Sequence, residues 1–201
     1  MICNKIYERL LADFPGQYKS LTDISYNDAS DKKFYCSDVK FISFDDIEFT
    51  PGKGDKKGKA PDMLACAGGK FIFVEFKEGA CKNVKDDDVK LKIIEGINSL
   101  YRYSASKLSI ARQDFLNIDI DYFVFHRKPP QKGSIFQHMQ RSIVRWRLSE
   151  YKGLYLREVA TLDEHEAAFK VLNKISNGSL LSGTYVRYLG NETIVEEWAA
   201  V

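Results

Sequence analysis

Pro61-Asp62-Met63-Leu64-Ala65-Cys66-Ala67-Gly68-Gly69-Lys70-Phe71-Ile72-Phe73-Val74-Glu75-Phe76-Lys77 decides how this chain folds. Two apolar runs of strand length flank Gly68-Gly69, a pair that accepts positive φ, and this pattern predicts a β-hairpin. A two-residue loop pairs Ala67 with Lys70, and following the ladder back sets Asp62 opposite Glu75. Facing residues project to one side of the sheet, with Cβ atoms about 4.5–5.5 Å apart. Lys77, two residues beyond Glu75, shares that side. A one-residue change of loop length would break this register, whereas a four-residue loop would keep it.

Two carboxylates face to face repel and normally weaken a sheet. A shared proton or a divalent cation between them is the usual reason to keep such a pair. Phe71 and Phe73 lie on the side of Glu75 and Lys77, while Ile72, Val74 and Phe76 lie on the other. Apolar residues on both faces are the mark of a central, covered strand. The charges enter only at its C-terminal end, where a covered sheet opens into a crevice.

Pro61-Asp62, twelve intervening residues and then Glu75-Phe76-Lys77 resembles the PD-(D/E)xK nuclease superfamily, the restriction-endonuclease-like fold. The bare pattern is loose, and its placement across a hairpin with the acids in register is what strengthens it. The resemblance covers Asp62 to Lys77 in specific residues and roughly residues 1–128 in the order of elements. It implies that Asp62, Glu75 and Lys77 are catalytic. Asp62, Glu75 and the backbone carbonyl of Phe76 would then hold Mg²⁺ or Mn²⁺, hard cations suited to oxygen ligands. It further implies in-line hydrolysis leaving a 5′-phosphate and a 3′-hydroxyl.

At 201 residues the chain suits one domain over 1–201, with a core of about 1–150 and a C-terminal extension, 151–201, packed on it. Hydrophobic content of 44% and charged content of 29% are those of a globular protein. No apolar run approaches the ~20 residues of a membrane helix, and Glu8 and Arg9 fall where a signal peptide would be apolar. Cys3, Cys36, Cys66 and Cys81 lack ligand spacing, which favours free thiols and a cytoplasmic setting. A net charge of +2 does not announce a nucleic-acid binder, so any such surface must be local.

Outward from the hairpin, residues 2–14 read as a helix through Ile2, Ile6, Leu10 and Phe14. Family members often carry a further acid on such a helix. Glu8 is the candidate metal ligand by position, although it falls outside the apolar arc, as a solvated glutamate does. Residues 17–37 show no clear period. Residues 39–49 read as a strand, with Asp45 and Asp46 as turn acids or further ligands. The loop before Pro61 carries Lys53, Lys56, Lys57 and Lys59, which either track phosphates or are simply solvated.

Asp86-Asp87-Asp88 supply N-cap chemistry for a helix over about 87–104. The resemblance implies that this helix lends the site a polar residue, Lys92 or Asn98, and a packing helix with a wet face explains the segment equally well. Residues 121–128 read as a covered strand, and a strand–helix–strand order favours a parallel crossover. His126 and Arg127 would then emerge on the edge of Glu75 and Lys77, as phosphate contacts or as ordinary strand-end residues. Residues 136–149 read as a helix that presents Arg141 and Arg145 on one face. A strand from Gly153, an amphipathic helix over 164–176 and a tail that reads as a hairpin or an irregular segment complete the chain.

The expected class is therefore α/β, a mixed central β-sheet flanked by helices on both faces, with a restriction-endonuclease-like core. The expected function is a metal-dependent nuclease acting on nucleic acid, DNA first, with no membrane partner. A non-catalytic or partner-dependent module of a defence, repair or transposition complex stays open. So do a homo-oligomer and a chance motif in an unrelated α/β domain.

Overall fold

Six strands form the central sheet of the computed structural model, which describes residues 1–49, 58–78, 85–127, 146–189 and 192–200. Along the chain come α1 (Ile2–Asp13), β1 (Tyr18–Ser20), α2 (Leu21–Ile24), β2 (Tyr35–Cys36), β3 (Lys40–Ser43), β4 (Met63–Ala67) and β5 (Lys70–Glu78). They are followed by α3 (Asp86–Leu108), α4 (Arg112–Leu116), β6 (Ile120–Arg127), β7 (Glu158–Leu162), α5 (His165–Ile175), β8 (Ser182–Leu189) and β9 (Glu192–Ala199). The sheet order is β1-β3-β4-β5-β6-β7. Its first four strands pair antiparallel, and β5, β6 and β7 run parallel. A smaller sheet, β2-β8-β9, joins an early dipeptide to the C-terminal hairpin.

The β4–β5 turn has the chemistry its sequence predicts. Gly68 and Gly69 both take positive φ, 59° and 79°, a conformation without side-chain cost only for glycine. Ala67 pairs with Lys70, and the ladder runs back to Met63 opposite Val74, so Asp62 and Glu75 are next in register. Phe71 through Glu75 are all buried, as both faces of β5 are covered. On one face Leu64, Phe71, Phe73, Tyr122 and Val124 pack against α1 and α3. On the other, Met63, Ile72, Val74 and Phe125 pack against Phe169, Leu172 and Ile175 of α5. The protein is thus α/β, with a mixed sheet and helices on both faces. Among the described residues no helix is long and apolar enough to cross a membrane.

Several expectations shift. The strand read over 39–49 ends at Ser43. Phe44 and Ile47 are still buried, in a turn closed by Ile47 N–H donating to the Phe44 carbonyl. Asp45 and Asp46 occupy that turn. The three aspartates of α3 lie in its first turn while Lys85 caps it, with no side-chain bond. There they favour the positive end of the helix dipole. Trp146 and Arg147 have φ of 54° and 50° and a 3-10 turn follows, so the described end of residues 136–149 is not α-helical. Residues 153–155 form a turn, and β7 starts only at Glu158. Although it comes from the segment assigned to the C-terminal extension, β7 is the edge strand of the central sheet.

Candidate active site

Asp62 sits one residue before β4 and is held from both sides. Its backbone carbonyl accepts the Phe44 N–H at 2.9 Å, and its Oδ2 accepts the Phe76 N–H at 2.7 Å. The carboxylate therefore takes the place a strand partner would fill where β4 stops and β5 continues. In an extended strand a residue's N–H and C=O point to the same edge. The Phe76 carbonyl consequently points toward Asp62 and not into the β6 ladder, while its ring is packed on the opposite face.

Glu75 has no exposed surface. Its Oε1 lies 2.5 Å from Lys77 Nζ and 2.8 Å from Lys92 Nζ. Lys92 is also 2.8 Å from Asp62 Oδ1. Neither Glu75 oxygen accepts a hydrogen bond of good geometry among the described residues, so Oε1 is held by charge and Oε2 is an orphaned buried acceptor. Burial, and after it the charge of Asp62, push Glu75 up to about 7, while Lys92 and Lys77 pull it down. Burial works against the Lys92 ammonium, but Glu75 and Asp62 outweigh it and hold Lys92 above its ordinary value. Two acids and two lysines thus form a charge-balanced cluster in the wall of an apolar core.

Tyr122 completes the buried side. Its hydroxyl has no hydrogen-bond partner among the described residues. Burial, then the charges of Glu75 and Asp62, raise its pKa well above the ordinary value. It belongs to the same packed face as Phe73, its partner in the ladder. On the open side Asp62, Phe76 and Lys77 line a cleft of about 500 Å³ together with Asp23, Asp28, Asp45 and Asp46.

α3 reaches this site because of one residue. A Cβ on Gly96 would lie 2.6 Å from Pro61 Cδ, so only glycine lets the helix approach the Pro61-Asp62 segment. Glu95 accepts the Lys59 N–H and Asp88 pairs with Lys59 Nζ, tying the same segment to the helix. Lys92, one turn before Gly96, is thereby set against Asp62. Of the two polar candidates on this helix, Lys92 is the one joined to Asp62 and Glu75.

The structure scatters the remaining candidates. Glu8 is exposed, and its charge is felt at Cys66, where burial comes first among the influences that push the thiol up to about 12. Asn4, one turn before Glu8 on α1, accepts from Cys66 Sγ, at the turn end of the hairpin and away from Asp62. Lys59 is engaged with Asp88. His126 lies beside Lys77 in the β5–β6 ladder, but it is 2% exposed and packs edge-to-face on Trp146.

Arg127 faces the opposite side of the sheet. It donates to the Lys33 and Val186 carbonyls at 2.6 and 2.5 Å, pairs with Glu78, and lies over Phe34 and Tyr188. Its guanidinium joins the smaller sheet to the end of β5 and is not offered to a phosphate. Lys53, Lys56, Lys57, Arg141 and Arg145 lie outside the described residues.

Sequence reasoning missed Tyr122, whose signal was its place on the covered strand next to β5. Among the described residues no three His, Cys, Asp or Glu side chains converge as a metal cluster. Comparison with family models, with curated proteins and with solved structures finds nothing that matches the chain.

Proposed function

We propose that the chain is a metal-dependent nuclease of PD-(D/E)xK type, hydrolysing phosphodiester bonds of DNA, on a restriction-endonuclease-like core. The observation that carries this reading is the meeting of Asp62, Glu75 and Lys77 at the end of an otherwise apolar hairpin. The topology supports it. An antiparallel β3-β4-β5 unit is followed by α3 and by β6 parallel to β5, the element order the resemblance implies.

The donor set fits a hard divalent cation. Asp62, Glu75 with its orphaned Oε2, and the Phe76 carbonyl offer oxygens, and Mg²⁺ commonly takes one or two carboxylates and keeps several waters. Bound there, Mg²⁺ or Mn²⁺ supplies positive charge for the scissile phosphate and acidifies water. Asp62 is oriented for this by the Phe76 N–H and its own anchored carbonyl. Lys77 is 21% exposed and lines the cleft, where its ammonium would position an attacking water and meet the charge that develops on phosphorus. A preorganised cation stabilises that charge without reorganising as it forms.

Lys77→Ala and Asp62→Ala, assayed on end-labelled DNA with Mg²⁺ or Mn²⁺, test the reading. Each is expected to lower cleavage by about 10²–10³-fold. Metal-dependent cleavage that survives both substitutions discards the site.

A second reading, a non-catalytic or partner-dependent nucleic-acid-binding module, is favoured by one observation. Lys92 and Lys77 already balance the two acids, so the fold does not require a cation. Binding of Mn²⁺ through Asp62 and Glu75, measured by calorimetry, separates the two.

A further inference from the structure

We propose that Lys92 is a built-in counter-ion that competes with the divalent cation for Asp62 and Glu75, so that the site loads metal by exchanging an ammonium for it. The inference rests on the nuclease reading only in taking those two acids as the metal ligands. Lys92 Nζ is 2.8 Å from Asp62 Oδ1 and 2.8 Å from Glu75 Oε1. Among the described residues it is the ammonium that touches both carboxylates, for Lys77 reaches Glu75 alone. A cation bridging the two acids needs Asp62 Oδ1, because Oδ2 is taken by the Phe76 N–H, and it needs the space between the carboxylates that Lys92 fills.

Charge balance leads to the same exchange. With both acids ionised, the two carboxylates and two ammoniums sum to zero. A divalent ion added to the intact cluster would set four positive charges against two negative ones in a buried pocket, a heavily penalised arrangement. Departure of Lys92 removes one of those charges and frees two carboxylate oxygens. The four-carbon stem of lysine lets the ammonium leave while α3 stays in place. The helix itself is fixed by the close approach of Gly96 to Pro61 and by the Glu95 and Asp88 contacts to Lys59. Lys92 thereby keeps the acids apart from bulk cations and sets how readily a metal enters. In this role it positions the ligands and need not touch substrate.

Calorimetric titration of Mn²⁺ into the full chain, with no nucleic acid, tests the exchange in the wild type, Lys92→Gln, Lys92→Arg and Lys77→Gln. Lys92→Gln is expected to tighten Kd by about tenfold or more, equivalent to ~1.4 kcal/mol. Lys92→Arg keeps the wild-type affinity within about threefold, and Lys77→Gln tightens it less than Lys92→Gln does. If Lys92→Gln unfolds without metal, recovery of its circular dichroism by Mn²⁺, and not by NaCl of equal ionic strength, supports the exchange. Failure to recover overturns it. Wild type that binds Mn²⁺ together with a folded Lys92→Gln that binds no tighter also overturns the exchange and leaves the nuclease reading standing. Absence of Mn²⁺ binding in every variant, with no cleavage of DNA, removes the nuclease reading itself.

Discussion

Replacing Glu75 by glutamine is expected to remove a fall in stability that the wild type suffers as pH rises from about 4.5 to 7. Glu75 is fully buried, and burial followed by repulsion from Asp62 lifts it from an ordinary value of 4.5 to about 7. A carboxyl raised in the folded state stabilises the fold below its unfolded value, and that contribution is lost as pH climbs through the folded one. Each tenfold change in proton affinity is worth ~1.36 kcal/mol, so the loss across the window is about 3 kcal/mol. Glutamine has the shape of the protonated acid and does not titrate. Other shifted groups fall outside the window. Asp13 and Asp88, lowered by Arg9 and Lys59, titrate in more acid solution, and Lys92 titrates in more alkaline solution.

Urea unfolding in EDTA at steps between pH 4.5 and 8.5, for wild type and Glu75→Gln, measures the effect free of any bound cation. The two proteins are expected to be nearly equal in stability at pH 4.5. By pH 8 the variant is more stable by about 3 kcal/mol. A variant less stable than wild type at pH 8 would refute the reasoning. It would mean that the attraction of Lys77 and Lys92 for ionised Glu75 exceeds the cost of burying it.

Gly96→Ala drives a methyl group against Pro61, whose Cδ would be 2.6 Å and whose Cγ would be 3.2 Å away. The expected cost is about 1–3 kcal/mol, read as a lower urea midpoint with unchanged slope, and an unchanged midpoint would show that Pro61 yields freely. Arg127→Gln strips Glu78 of its partner and leaves the Lys33 and Val186 carbonyls short of donors. Breaking such a buried pair is expected to cost at least about 3 kcal/mol, and a loss below about 1 kcal/mol would show that Arg127 acts as an exposed charge.

What was legible in the sequence was local. The hairpin register followed from Gly68-Gly69, because a two-residue turn admits one pairing. The strand over 39–49 was overextended, because β-forming residues report burial as much as ladder pairing. Phe44 and Ile47 are core residues held in a turn. Residues 17–37 gave no period since β1, α2 and β2 are two to four residues long, and β2 finds its partner only in β8. Arg127 was misplaced although parity could have placed it. The β5–β6 register sets His126 beside Lys77 and Arg127 beside Glu78, and successive residues of a strand face opposite sides. One of the two therefore had to leave the face of the acids.

Lys92 shows why a site assembled by packing is harder to read. Lys85, Lys90 and Lys92 all stand near the start of one helical segment, and nothing in their spacing from Glu75 ranks them. The ranking lies in Gly96. A glycine inside a helix costs about 1 kcal/mol relative to alanine, so its presence marks a place where another backbone or ring must come close. Residues four apart share a helix face, so the face that meets this neighbour carries Lys92. Lys90 lies off that face and reaches Glu150, 3.6 Å away. The proline of Pro61-Asp62 supplies the other half of the contact. A helix glycine and a proline before an acid are therefore one feature read from two ends, and together they bring the lysine to the carboxylates.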